Sequence, residues 1–388
     1  MREQVEIGRG RSAQRSYTFD DLDIVPSRRT RSSSQVSTAW QLDAYRLDLP
    51  LLTHPTDAVV SPVTAAEVGR LGGLGVLNAE GLWARHPETG KVLADVTARA
   101  ATDGPAAAVA ELQRLHAAPV QAALLTEALE TVRAAGVTVA ARVSPQHARE
   151  LTPTLLSAGV EVLVVQGTII SAEHVGDGAE RSSTPRTGDG AEGPLDLEDF
   201  IESLDIPVVA GGVGDYRTAM HLMRTGAAGV IVGYGESAST STDAVLGIGV
   251  PMATALVDAA AARRDYLDET GGRYVHVIAD GGMATSGDMA KAIACGADAV
   301  MLGEQLAAAE DAPGGGWYWT SAAAHPSLPR SGVVAVPPRV PDLASVLLGP
   351  APCTDGTVNL VGALRRAMAK TGYSDLKEFQ RVGLSVRR

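Results

Sequence analysis

Residues 277–303 open with Val277-Ile278-Ala279-Asp280-Gly281-Gly282, run through a helix-like stretch and close with Ala299-Val300-Met301-Leu302-Gly303. A strand, a helix and a second strand of this length form a βαβ unit, so the two strands lie parallel in one sheet. Each strand ends in glycine, and the first also ends in an acid, Asp280. Paired strand ends with small residues and bare backbone N–H groups are where α/β barrels hold a phosphate. The unit has a weaker echo upstream. Val208-Val209-Ala210 answers Val277-Ile278-Ala279, and Val230-Ile231-Val232-Gly233 answers Val300-Met301-Leu302-Gly303. Successive βαβ units imply a closed parallel barrel or a doubly wound sheet.

The barrel reading gains from the rest of the chain. Eight short apolar runs follow in order, at 50–55, 74–78, 137–143, 160–166, 207–211, 230–233, 275–280 and 299–303. Most are continuous rather than alternating, as strands buried on both faces must be. Between them lie Ala-rich stretches with helical spacing, at 124–135, 216–224, 254–270 and 287–294. A (β/α)8 TIM barrel is therefore expected, as one domain over residues 1–388. A dinucleotide-binding sheet is disfavoured, because no Gly-x-Gly-x-x-Gly opens a βαβ unit with an acid the right distance on. Two segments interrupt the alternation. Residues 176–194, rich in Gly, Ser, Thr, Asp and Glu, read as a mobile loop after strand four. Residues 313–338, with Gly314–Gly316, Trp317 and Trp319, read as a flap after strand eight. Residues 359–388 read as a C-terminal helical extension, and residues 1–45 as an N-terminal arm.

Charge and composition exclude several classes. A formal charge of −12 argues against nucleic acid as the main partner. The early arginines Arg9, Arg11, Arg15, Arg28, Arg29 and Arg31 read as a solvated arm. No apolar run is long enough to span a bilayer and no secretory leader is visible, so a cytoplasmic protein without membrane contact is expected. Cys295 and Cys353 form no metal-ligand pattern, and no metal site is expected.

Several stretches together resemble the IMP dehydrogenase/GMP reductase family. Tyr17 to Pro26 is similar to its N-terminal motif, Pro50 to Asp57 to its first barrel strand, and Gly72 to Leu77 to its second. Residues 277–303 resemble its nucleotide-binding segment, Gly314 to Arg330 occupies the flap position, and Met368 with Thr371-Gly372-Tyr373 marks its C-terminal segment. The stretch from 81 to 135 is too short for the paired regulatory (CBS) domain that many members insert there, so the chain looks like a bare-barrel member of the actinobacterial type. The resemblance implies a purine nucleoside monophosphate (IMP, GMP or XMP) as ligand, NAD or NADP as cofactor, and a homo-tetramer. Asp280 would bind the ribose hydroxyls, while Gly281, Gly282 and Gly303 would offer N–H groups to the phosphate, with Ser239 and Glu304 beside them. Gln166, Gly211, Gly212, Gly233 and Gly235 fall on the cofactor side, and Arg330 is the nearest match to the flap arginine that activates water.

One departure bears on chemistry. In the family, the loop after strand six carries a catalytic cysteine whose thiolate adds to C2 of the purine. Here the register set by Gly233, Gly235 and Gly247-Ile248-Gly249-Val250-Pro251 puts Thr240 in that place. A thiol with an ordinary pKa near 8.5 supplies some thiolate at neutral pH, whereas a threonine hydroxyl needs a base beside it. Three readings follow: an oxidoreductase of purine nucleotides, a non-catalytic member that binds its ligand, and an interaction subunit with a vestigial site. Glu304 is a second departure, because a carboxylate at the phosphate end repels an anion.

Overall fold

In the computed structural model, which describes residues 3–168, 170–174 and 195–387, all eight apolar runs are strands. They are β1 (Leu51–Thr53), β2 (Val76–Asn78), β3 (Ala140–Val143), β4 (Val162–Gln166), β5 (Val208–Val213), β6 (Gly229–Glu236), β7 (His276–Gly281) and β8 (Ala299–Leu302). From β2 to β8 each pairs in parallel with the next in the chain, and β8 returns to β1 with Val300 opposite Leu51 and Met301 opposite Leu52. A parallel bridge between Leu52 and Leu74 closes the ring. The strands are buried on both faces, which explains why their sequences lack alternation. All eight run the same way, so His54, Gln166, Glu236, Asp280 and Gly303 arrive at one mouth.

Several of the helices outside the ring are fixed at their N-termini by side chains. Asp215 and Thr218 form a capping box on Tyr216–Arg224, and Thr285 with Asp288 forms one on Ser286–Ala294. The first of these buries Ala219, Met220, Leu222 and Met223, an apolar face at helical spacing. Between β2 and β3, where the sequence pattern predicts a helix at 124–135 and no large insertion, three helices stand: Thr89–Thr102, Pro105–His116 and Ala122–Ala134.

The ends of the chain and the flap depart from the sequence reading. The N-terminal arm carries an exposed hairpin, Gln4–Gly8 with Arg11–Gln14. The C-terminal extension holds helices Leu360–Thr371 and Leu376–Phe379, but it then ends as a strand, Gly383–Val386, antiparallel to Leu22–Val25. The flap is not loose. Trp317–Tyr318 pairs with Val334–Ala335, and Tyr318 and Trp319 are buried. The Thr56 hydroxyl donates to the Trp319 carbonyl at 2.6 Å. Two large aromatic rings bury too much apolar area to be left in water, and they draw the glycine-rich segment down with them. The loop expected at 176–194 lies outside the described residues. Opposite the mouth, buried Asp298 collects Arg263 at 2.6 Å, Lys377 at 2.6 Å, Gln380 at 3.0 Å and the Tyr274 hydroxyl at 2.9 Å.

Candidate functional site

Asp280 ends β7 and is almost wholly buried. Its two carboxylate oxygens are held apart by different partners. His54, just past β1, places Nδ1 at 3.0 Å from Oδ1, and Gln166, at the end of β4, donates from Nε2 to Oδ2 at 2.7 Å. After Asp280 the backbone turns through Gly281 (φ +108°) and Gly282 (φ +67°), a left-handed path that side chains disfavour. A Cβ at Gly281 would also strike the backbone N–H and carboxylate of Glu236. The glycines here serve close packing against β6 as well as the turn.

Asp280, Gly281, Gly303, Glu304 and Gly235 line one half-open cleft with a cavity volume of about 20 Å³, room for a water molecule and little more. The structure adds residues that the sequence reading gave no role: His54, Glu236, Ser237, Gln305 and Tyr318. Burial pushes the Glu236 carboxyl up to about 7, and the neighbouring Asp280 charge adds to the rise. One Glu236 oxygen accepts the Tyr234 N–H at 3.1 Å, while the other is buried without a partner. Burial also raises the Tyr318 hydroxyl well above its usual range, helped by Asp280 and Glu304. The signal for His54 was available, since it follows directly on an apolar strand. Glu236 was hidden because β6 runs past Gly233, where the apolar pattern stops.

Thr240 and Ser239 lie beside this cleft, on the loop after β6. The Thr240 hydroxyl donates to the Gly235 carbonyl at 2.6 Å and touches the Ser237 hydroxyl at 3.1 Å. A carbonyl oxygen accepts that hydrogen but cannot take the proton, so the hydroxyl is not activated. Ser239 accepts from the Ser331 hydroxyl at 3.2 Å. Arg330 is brought next to this loop, with its carbonyl accepting from Ser241 N–H at 2.9 Å and Nη2 donating to Thr168 at 3.2 Å. Its Nε is buried without a partner.

The positions assigned to the cofactor are spread differently. Gly211 and Gly212 exchange backbone hydrogen bonds with Gly167, the Gly212 N–H donating to Gly167 at 3.1 Å and Gly211 accepting from Gly167 at 2.9 Å. Gln166 stands behind Asp280. Gly233 packs against the Asp280 backbone, where a Cβ would collide. These residues hold strands together and present no free cradle. Among the described residues, no group of three or more His, Cys, Asp or Glu side chains is placed to hold a metal. Cys295 is buried, which pushes its thiol up to about 12 and leaves it unreactive.

A closed parallel barrel with a buried acid and two glycine turns at its C-terminal mouth defines a (β/α)8 protein, a fold that carries its functional sites at that mouth. The chain matches the family model "IMP dehydrogenase / GMP reductase domain" over residues 16–181 and 196–324, and it belongs to the IMP dehydrogenase/GMP reductase family. It is 61% identical over 386 residues to a protein of Mycolicibacterium smegmatis named an uncharacterized oxidoreductase, covering 98% of this chain and 99% of that one. An inosine-5′-monophosphate dehydrogenase of Korarchaeum cryptofilum is 26% identical over 371 residues, covering 77% and 76% of the two chains. A crystal structure from Corynebacterium glutamicum, described as an IMP dehydrogenase/GMP reductase-like protein, superposes with a TM-score of 0.91 at 52% identity, covering 99% of this chain and 98% of that one.

Proposed function

We propose that the protein binds a purine ligand at the mouth of the barrel and does not carry out the covalent redox step of its family. One observation carries this reading: Thr240 stands in the nucleophile's place, with its hydroxyl donated to a carbonyl and no base in contact. Asp280 would accept hydrogen bonds from the ribose hydroxyls on the lone pairs that His54 and Gln166 leave free. The family's own ligand is a purine nucleoside monophosphate, and the glycines at 281, 282 and 303 are where its phosphate end would lie. The residues matched to the nicotinamide side do not fit that role, because the Gly212 N–H and the Gly211 carbonyl are already bonded to Gly167. No step is therefore routed through NAD or NADP. The reading also carries a cytoplasmic homo-tetramer, which light scattering would test. Among the described residues, no helix is long and apolar enough to cross a membrane.

A second reading, an active purine oxidoreductase, is favoured by the name of the mycobacterial relative. Calorimetry and the absorbance of NADH decide between the two. Purine binding without IMP-dependent NADH formation is the expected outcome, and robust turnover by the unmodified chain would overturn it. Asp280→Asn should weaken purine binding by about 1.5–3 kcal/mol, the scale of a hydrogen bond to a charged group.

A further inference from the structure

The phosphate end of the mouth is already filled by the chain itself. Glu304 follows Gly303 at the end of β8, and its carboxylate accepts the Ala238 N–H at 2.8 Å. Ala238 lies on the loop after β6, so this bond links the end of β8 to that loop beside the end of β7, where a phosphate would sit. The Gly303 N–H donates to the Gln305 side-chain oxygen at 3.2 Å, and Gln305 is anchored in turn on the Met283 carbonyl. The Gly282 N–H donates to the Glu236 carbonyl at 2.8 Å. Three backbone donors that could serve an anion are thus spent on a carboxylate, an amide oxygen and a carbonyl. The surrounding charge points the same way. Glu236, Asp280 and Glu304 line the cleft, and among the described residues no Lys or Arg does. The Tyr318 ring, against Gly303, narrows what remains.

We propose that Glu304 is a specificity residue: its carboxylate stands in for a ligand phosphate, so that the mouth selects a purine nucleoside or base and rejects the 5′-monophosphate. An incoming phosphate would have to displace Glu304 from the Ala238 N–H. It would then share the cleft with two further acids and, among the described residues, no counter-charge. A nucleoside leaves the Glu304–Ala238 bond intact and still meets Asp280 through its ribose hydroxyls. This inference rests on the purine reading above, and the test separates the two.

The full chain is titrated by calorimetry with inosine, guanosine, IMP and GMP, alongside Glu304→Ser and the isosteric Glu304→Gln, each first checked for an unchanged melting transition. Wild type should bind each nucleoside at least about tenfold more tightly than its monophosphate, the equivalent of one good charge-assisted contact. Glu304→Ser should move the monophosphate-to-nucleoside ratio by about tenfold or more towards the monophosphate, with Glu304→Gln between. Inorganic phosphate, followed by 31P line broadening, should interact with Glu304→Ser and not with wild type. Tighter binding of IMP or GMP than of the nucleosides by wild type would overturn the proposal, as would a ratio that Glu304→Ser leaves unmoved. If no purine binds any form yet phosphate binds only Glu304→Ser, the purine reading fails while the role of Glu304 stands. If phosphate binds neither form as well, both fail.

Discussion

Thr240 and Glu236 show how far single side chains decide what this barrel does. Thr240 fits the nucleophile's place by position and not by chemistry, since its proton points at the Gly235 carbonyl. Thr240→Cys restores a group with an ordinary pKa near 8.5. The variant should form a mass-detectable covalent adduct with a purine nucleoside made electrophilic at C2, while wild type forms none. No adduct on a folded variant that binds the nucleoside would mean the loop aims its side chain away from the ligand. Glu236 makes a prediction about pH. Its carboxyl is raised from 4.5 to about 7, so the folded protein holds a proton that the unfolded chain gives up in that interval. Stability from this group therefore falls as pH rises from about 4.5 to about 7, and the full cost remains above it. Glu236→Gln should leave the stability nearly unchanged near pH 4.5 and raise it increasingly up to pH 7, by at most about 3 kcal/mol, read from urea unfolding at each pH. A difference that stays constant over that range would contradict the assignment. Asp280, the paired glycines and Glu304 were legible in the sequence because they sit at the ends of apolar strands. Glu236 and Gln305 were not, because their roles depend on which backbone atoms of other strands come opposite them, and no local pattern encodes that.

Among the elements, the strands were legible and the terminal segments were not. All eight apolar runs became barrel strands, because continuous burial leaves an unbroken apolar signature. The segment at 383–386 carried no such mark. It forms a strand only because Leu22–Val25 offers an edge to pair with, a non-local cause. The packing of the flap is non-local in the same way, since the burial of Tyr318 and Trp319 depends on a surface elsewhere in the chain. The C-terminal elements are also fixed from below. Asp298, next to β8, is held well below the usual carboxylate range: burial opposes this, but the charges of Arg263, Lys377 and His276 more than offset it. Arg263→Met strips the most buried of those partners and leaves the acid short of charge where water cannot reach it. The cost should be about 3–5 kcal/mol, read as a lower midpoint in urea unfolding. A loss below about 1 kcal/mol would mean that Lys377 and Gln380 suffice by themselves.

Taken whole, the molecule is a ring whose members are not equally joined. β1 pairs with β8 through three residues, Leu51, Leu52 and Thr53, whereas its backbone bonds to the second-strand side stop at the Leu52–Leu74 bridge, where the Leu74 N–H donates to Leu51 and the Thr53 N–H to Leu74, both at 3.0 Å. Next to that bridge the Val76 N–H is accepted by the Thr53 hydroxyl at 2.8 Å, so a side chain finishes what the backbone does not. Deuterium exchange should therefore begin at Val76 well before it reaches β4, β5 or β6, and protection at Val76 equal to theirs would refute the weak seam. The same asymmetry has a consequence in time. During synthesis β1 leaves the ribosome first, yet the strand that holds it best, Ala299–Leu302, is among the last to emerge. A nascent chain stalled before residue 299 has an apolar strand paired on one side only, the kind of edge that chaperones cover and proteases find. For this barrel, ring closure is an event of the last quarter of translation.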